Sequence, residues 1–210
     1  MTTSSPFLTP LLIKQNNHPD IGYLLVDYPG YGSNFGYPSQ KNNKQTVLDA
    51  YNALLAQQQT PPPYIHLLGH SIGAAVAIDV ASELPPQSLV LISPFTSTYA
   101  MSKRVIGTLW AQLLRPFLWD PYPSEQTLTQ FIFAHPTTQI IILHGDNDKV
   151  VPVQMGRKLS NINQKIHYHE LKGVGHALPY EARETFISII NHYSVDTHSK
   201  QEKKHDNLST

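Results

Sequence analysis

The chain has 210 residues, no cysteine, 40% apolar residues, and fifteen Lys plus Arg balanced by fifteen Asp plus Glu. A single core of ordinary size is expected, as one domain. The balanced charge argues against a nucleic-acid partner, and the absence of cysteine excludes disulfides, thiolate metal sites and a cysteine nucleophile.

The amino terminus, "MTTSSPFLTPLLIKQNN", has no charged leader and long apolar core, and no stretch is long enough to cross a bilayer. A soluble, cytoplasmic protein is expected. Five apolar runs then follow: "IGYLLVD" ending at Asp27, "YIHLLG" at Gly69, "SLVLIS" at Ser93, "QIIILHG" at Gly145 and "KIHYHEL" at Leu171. The first four are nearly continuous in apolar character, as in strands covered on both faces, which favours a parallel sheet.

Helical patterns lie between and after them. "KQTVLDAYNALLAQQQ" places Val47, Leu48, Tyr51, Leu54 and Leu55 on one stripe; "IGAAVAIDVASEL", "VQMGRKLSNI" and "YEARETFISIINHY" follow in their turn. Alternation of strand and helix predicts an α/β class with right-handed crossovers and a site at the carboxyl ends of the strands. "DYPGYGSNFGYP" and "QQQTPPPY" read as loops. The segment 95–138 breaks the rhythm and reads as a cap-like insertion within a domain spanning 1–195. Residues 196–210 hold a single leucine and no aromatic, which predicts a disordered tail.

Within the insertion, Met101, Val105, Ile106, Leu109, Trp110, Leu113 and Phe117 form an apolar stripe opposite Lys103, Arg104, Thr108 and Arg115. Such a stripe packs onto the domain, or covers a site and meets an acyl chain, or rests on a membrane surface with its cations near headgroups. A cap is favoured, with Trp110, Phe117 and Trp119 as candidate substrate contacts and peripheral membrane contact through the cap as a further expectation.

Three features fall at the ends of three strands: Ser71 in "LLGHSIGAAVA", Asp146 and Asp148 in "HGDNDKVVP", and His176 in "GVGHALPY". Serine needs an imidazole to take its proton, and the imidazole needs a carboxylate to fix its tautomer. The chain order serine, acid, histidine is that of a nucleophile elbow. Ser71 alone could equally be a helix cap, Asp148 a strand end, and His176 a loop histidine. His167 and His169 share a strand face, an arrangement that can bind metal, but no third ligand is evident and a structural role is favoured. His66 and His144 read as strand residues.

The segments "DYPGYGS", "GHSIG", "SPF", "HGDNDKVVP" and "GHALPY", in this order, make the chain resemble the serine α/β-hydrolase superfamily from about Ser5 to Tyr193. It is most similar to its small esterase, thioesterase and monoacylglycerol-lipase-like members. The resemblance implies an α/β-hydrolase fold, with a mainly parallel sheet flanked by helices. It implies Ser71 as nucleophile, His176 as base, Asp148 rather than Asp146 as acid, and the Ile72 N–H as an oxyanion donor. Neither cofactor nor metal is implied. The family supplies three further strands before "IGYLLVD", and the loop after the third carries an H-G signature that gives the second oxyanion donor. The chain is therefore expected to be truncated at its amino end, with "SSPFLTPLLIKQNN" similar to the helix after that loop. The implied activity is cleavage of a small-molecule or lipid carboxylic ester or thioester through an acyl-enzyme. The competing expectation is a catalytically impaired homologue that binds ligands or protein partners.

Overall fold

Four of the five apolar runs pair into one parallel sheet, ordered β1 (His66–His70), β2 (Ser88–Ile92), β3 (Gln139–Gly145) and β4 (Ile166–Leu171). The computed structural model describes residues 22–58, 61–106 and 121–177. The chain divides into two units, one of Leu24–His176 and one of Met1–Tyr23 with Ala177–Thr210. All four strands belong to the first. The register runs Leu68, Val90, Ile141, His167 across the sheet. Every residue of β2 is buried, and so is all of β3 after Gln139, which explains why these runs are unbroken Leu, Ile and Val. At the open end of the first pair, His66 Nδ1 meets the hydroxyl of its register partner Ser88 at 2.7 Å.

Five helices flank the sheet among the described residues: α1 (Gln40–Leu55), α2 (Ile72–Ala81), α3 (Thr98–Ile106), α4 (Ser124–Ala134) and α5 (Val153–Ser160). Helix α1 starts at Gln40, four residues before the helical segment read from the sequence at Lys44, because the Ser39 hydroxyl caps it, accepting from the Asn42 N–H at 3.1 Å. Helix α2 is apolar on most of its circumference, with Asp79 its one charged residue, whose carboxylate accepts from Gln40 Nε2 at 2.8 Å. Ala74, Ala77, Ile78 and Ala81, at helical spacing, pack with Leu89, Leu91, Leu128 and Ile142. Ala75, Val76 and Val80 pack with Phe95, Tyr122 and Val151 on another side. A helix apolar on several sides belongs in the interior, and its alanines let it lie close to the sheet.

The segment 95–138 is not uniform. Its last part, α4, is the crossover helix between β2 and β3, and Leu128, Phe131 and Ile132 sit in the main core. Its first part, α3, sends Met101 against the second cluster and holds the Lys103 ammonium 4.4 Å from the Tyr99 ring centroid. Residues 107–120, with Trp110, Phe117 and Trp119, lie outside the described residues, as do the helix read over "YEARETFISIINHY", the amino-terminal segment and the 196–210 tail.

One expected strand is corrected. Residues 22–27 of "IGYLLVD" form no strand, and Leu24 and Leu25 are 43% and 47% exposed. An apolar run becomes a strand only where a neighbour takes up its N–H and C=O groups. Among the described residues nothing pairs with the outer edge of β1, so this run has no ladder to join. No helix of the described residues is long and apolar enough to cross a membrane.

The assignment of α4 to the frame rather than to a surface appendage is testable within one helix. Phe131, 2% exposed, and Phe133, 91% exposed, are two residues apart. Phe131→Ala is expected to lower the unfolding free energy by about 3–5 kcal/mol, and Phe133→Ala to change it by less than about 0.5 kcal/mol, in urea titrations.

Candidate active site

β1 ends at His70 and α2 begins at Ile72, so the reversal falls on Ser71 alone. Its backbone has φ 55° and ψ −117°, a conformation that a side-chain-bearing residue adopts at a cost of about 1–3 kcal/mol. Surrounding bonds hold it there: the Ser71 N–H donates to Ile92 O at 2.9 Å, and Ser71 O accepts from the Ala74 N–H at 3.0 Å. Gly69 is required by proximity, since a Cβ at 69 would overlap the Gly73 carbonyl. The Ser71 side chain makes no capping hydrogen bond to α2, so the cap reading of this serine is not realised. As the first residue of α2, Ile72 presents its N–H with no intrahelical acceptor, at the positive end of the helix.

The other two residues are brought together by a second close approach. Gly145, at the end of β3, faces the Val174 carbonyl so closely that a Cβ would overlap it. The neighbouring Asn147 N–H donates to the same carbonyl at 3.0 Å, and the Asp146 N–H donates to Leu171 O at 3.1 Å. The loops after β3 and β4 are thereby joined, and His176 Nδ1 lies 2.9 Å from Asp148 Oδ2. Asp148 Oδ1 accepts from the Val150 and Val151 N–H groups, each at 2.8 Å. Asp146 instead braces the turn after β4, where its Oδ1 accepts from the Gly173 N–H at 2.7 Å. Of the two acids left open by the sequence, Asp148 is the one paired with His176.

The Asp148 side chain has no exposed surface. Burial by itself pushes its pKa up, but hydrogen bonds from His176, from the Val151 and Val150 N–H groups and from the Ser93 hydroxyl outweigh it. The carboxyl is held below its ordinary value, and so stays ionised.

Ser71 reaches this pair through its neighbour. His70 Nε2 donates to His176 O at 2.9 Å, and the two imidazole rings stack tilted, with centroids 4.8 Å apart. Burial lowers the basicity of His70, which favours the neutral ring. The described hydrogen bonds thus run from Asp148 to His176 and from His176 to the residue before Ser71, and none joins the Ser71 hydroxyl to the imidazole. Sequence reasoning missed His70, Ser93 and the two valine amides. Only Ser93 left a signal, since it too closes a strand, and it carries a positive φ of 46°.

The joining of the two loops predicts unequal tolerance of alanine. Gly145→Ala must displace the Val174 carbonyl, whereas a Cβ at Gly175 would meet nothing closer than Asn147 O at 4.0 Å. Gly145→Ala is expected to cost about 1–3 kcal/mol in urea unfolding and Gly175→Ala less than about 0.5 kcal/mol.

Comparison with known proteins fits this geometry. The model of the alpha/beta hydrolase family matches residues 2–135. An uncharacterized protein of Mycobacterium tuberculosis is 34% identical over 160 residues, covering 76% of this chain and 54% of the relative. The lysophosphatidylserine lipase ABHD12 of Bos taurus is 31% identical over 187 residues, covering 78% and 46%. The chain spans about half the length of these curated relatives. Among solved structures, a meta-cleavage product hydrolase from Pseudomonas fluorescens superposes with a TM-score of 0.59 at 16% identity, over 81% of this chain and 78% of that one. The esterase RhEst1 from Rhodococcus does so with 0.54 at 18%, over 80% and 78%. These structures share the fold, and the family match extends through the Ser71 elbow: the chain belongs to the alpha/beta hydrolase family.

Proposed function

We propose that this chain is a serine hydrolase that cleaves a carboxylic ester or thioester through an acyl-enzyme. The observation that carries this reading is the hydrogen bond between the buried Asp148 carboxylate and His176, packed against the residue that precedes a backbone-strained Ser71. His176 Nδ1 is engaged by Asp148, which leaves Nε2 as the nitrogen able to take a proton. In the proposed reaction Ser71 Oγ attacks the acyl carbonyl as its proton passes to His176 Nε2. The Ile72 N–H, at the start of α2, donates to the oxygen that becomes negative. Collapse expels the alcohol or thiol, which takes the proton from Nε2, and leaves Ser71 acylated. Water, deprotonated by the same nitrogen, then releases the acid and restores the hydroxyl. Asp148 keeps its charge throughout, holding the imidazole in one tautomer and stabilising it when protonated. This chemistry asks for no metal or organic cofactor.

For substrate class we favour a lipid acyl ester, because a lysophosphatidylserine lipase is among the relatives. Ile72 and Val150, beside the nucleophile and the acid, are 44% and 52% exposed and offer apolar surface at the site. Trp110, Phe117 and Trp119 are proposed to extend that surface over the acyl chain, in a cap able to rest on a membrane.

A fluorophosphonate, which phosphonylates an activated serine, tests the reading directly. The wild-type chain is expected to be labelled and the Ser71→Ala chain not, and Ser71→Ala should lower ester hydrolysis by at least about 10³-fold. Equal labelling of both chains would overturn the assignment of Ser71. An absence of labelling in folded wild type would favour the non-catalytic binding homologue.

A further inference from the structure

His144 is fully buried in β3, yet it has no part in the proton transfers above. Its Nε2 donates to Val151 O at 3.0 Å and lies 3.5 Å from Asp148 Oδ2. The same Val151 peptide donates its N–H to Asp148 Oδ1 at 2.8 Å. Val151 is therefore gripped at both its backbone groups, by the imidazole at its carbonyl and by the carboxylate at its amide. The ring is fixed in turn by α5, where a Cβ at Gly156 would overlap Nδ1. With Nε2 as the donor, Nδ1 carries the lone pair, and it has no hydrogen-bond partner. An apolar side chain would fill the same volume without burying an unpaired nitrogen. What such a side chain lacks is the N–H directed at Val151 O.

We propose that His144 is a positioning residue for Asp148, acting through the Val151 backbone that the two side chains hold between them. By fixing that backbone, it keeps Asp148 Oδ1 occupied by the Val150 and Val151 amides and Oδ2 directed at His176 Nδ1. Burial, which lowers the basicity of His144, supports the neutral donor form that this role needs. The proposal rests on the hydrolase reading for its effect on rate, while its effect on the Asp148–His176 bond stands apart from turnover.

Three substitutions separate positioning from space filling. His144→Gln keeps an N–H near the Nε2 position, His144→Asn places its amide near Nδ1 and cannot reach Val151 O, and His144→Phe keeps the ring without a donor. The low-field proton resonance of the His176 Nδ1–H, assigned by its loss in Asp148→Asn, reports the bond to Asp148 whether or not the chain turns over substrate. Wild type and His144→Gln should show it at the same shift; His144→Asn and His144→Phe should shift or lose it. On an ester substrate, kcat should fall about tenfold or more in His144→Asn with KM unchanged, and His144→Gln should restore most of it. Equal retention, or equal loss, of the resonance in folded Gln and Asn variants overturns the proposal. If His144→Phe does not fold, the Gln and Asn pair decides. The expected resonance pattern in a chain that hydrolyses nothing would leave this inference standing and remove the hydrolase reading alone.

Discussion

A carboxylate without solvent is the constraint around which this site is arranged. Burial alone raises the pKa of Asp148, and the net shift is nevertheless downward, so the protein supplies donors in water's stead. Four do so: the Val150 and Val151 amides, the His176 imidazole and the Ser93 hydroxyl. They come from the acid's own loop, from the loop after β4 and from the end of β2. A parallel sheet brings such loops to one edge, because every strand ends on the same side.

Close backbone approach does the rest. At Gly69 the elbow folds back so tightly that the Gly73 carbonyl occupies the place of a side chain, and at Gly145 the Val174 carbonyl does the same. The first approach sets Ser71 at the tip of a strained turn; the second carries His176 to Asp148. The strain at Ser71 is local, while the alanine-rich α2 behind it is buried on more than one side and resists relaxation.

Much of this frame is legible from apolar periodicity. Ile140 to Leu143 and Ser88 to Ile92 are unbroken runs because neighbours cover both faces, and they are the central strands. "IGYLLVD" has the same texture, but its described residues 22–27 form no strand, since texture records burial potential and not the presence of a hydrogen-bonding neighbour. The segment 95–138 reads as one excursion because its sequence breaks the alternation of apolar run and helix, yet α4 belongs to the core. At the site, residue types and order single out Ser71, Asp148 and His176, and the choice of Asp148 over Asp146 comes from family spacing. The supporting contacts are hidden by distance along the chain: His70 and His176 are 106 positions apart, and His144 reads as one more strand residue until the fold sets it against Val151 and Gly156.

The central claim is that Asp148 remains charged while buried, and site-resolved titration of its side-chain carboxyl carbon by NMR tests it most directly. A folded-state value depressed below the unfolded one means that the stability contributed by this group is fully present above the unfolded value and disappears as pH falls through the folded one. The expected midpoint lies below the ordinary aspartate value of 3.8, accompanied by loss of stability as the carboxyl takes up its proton. A midpoint at or above that value would mean that burial outweighs the donors, and would contradict the claim.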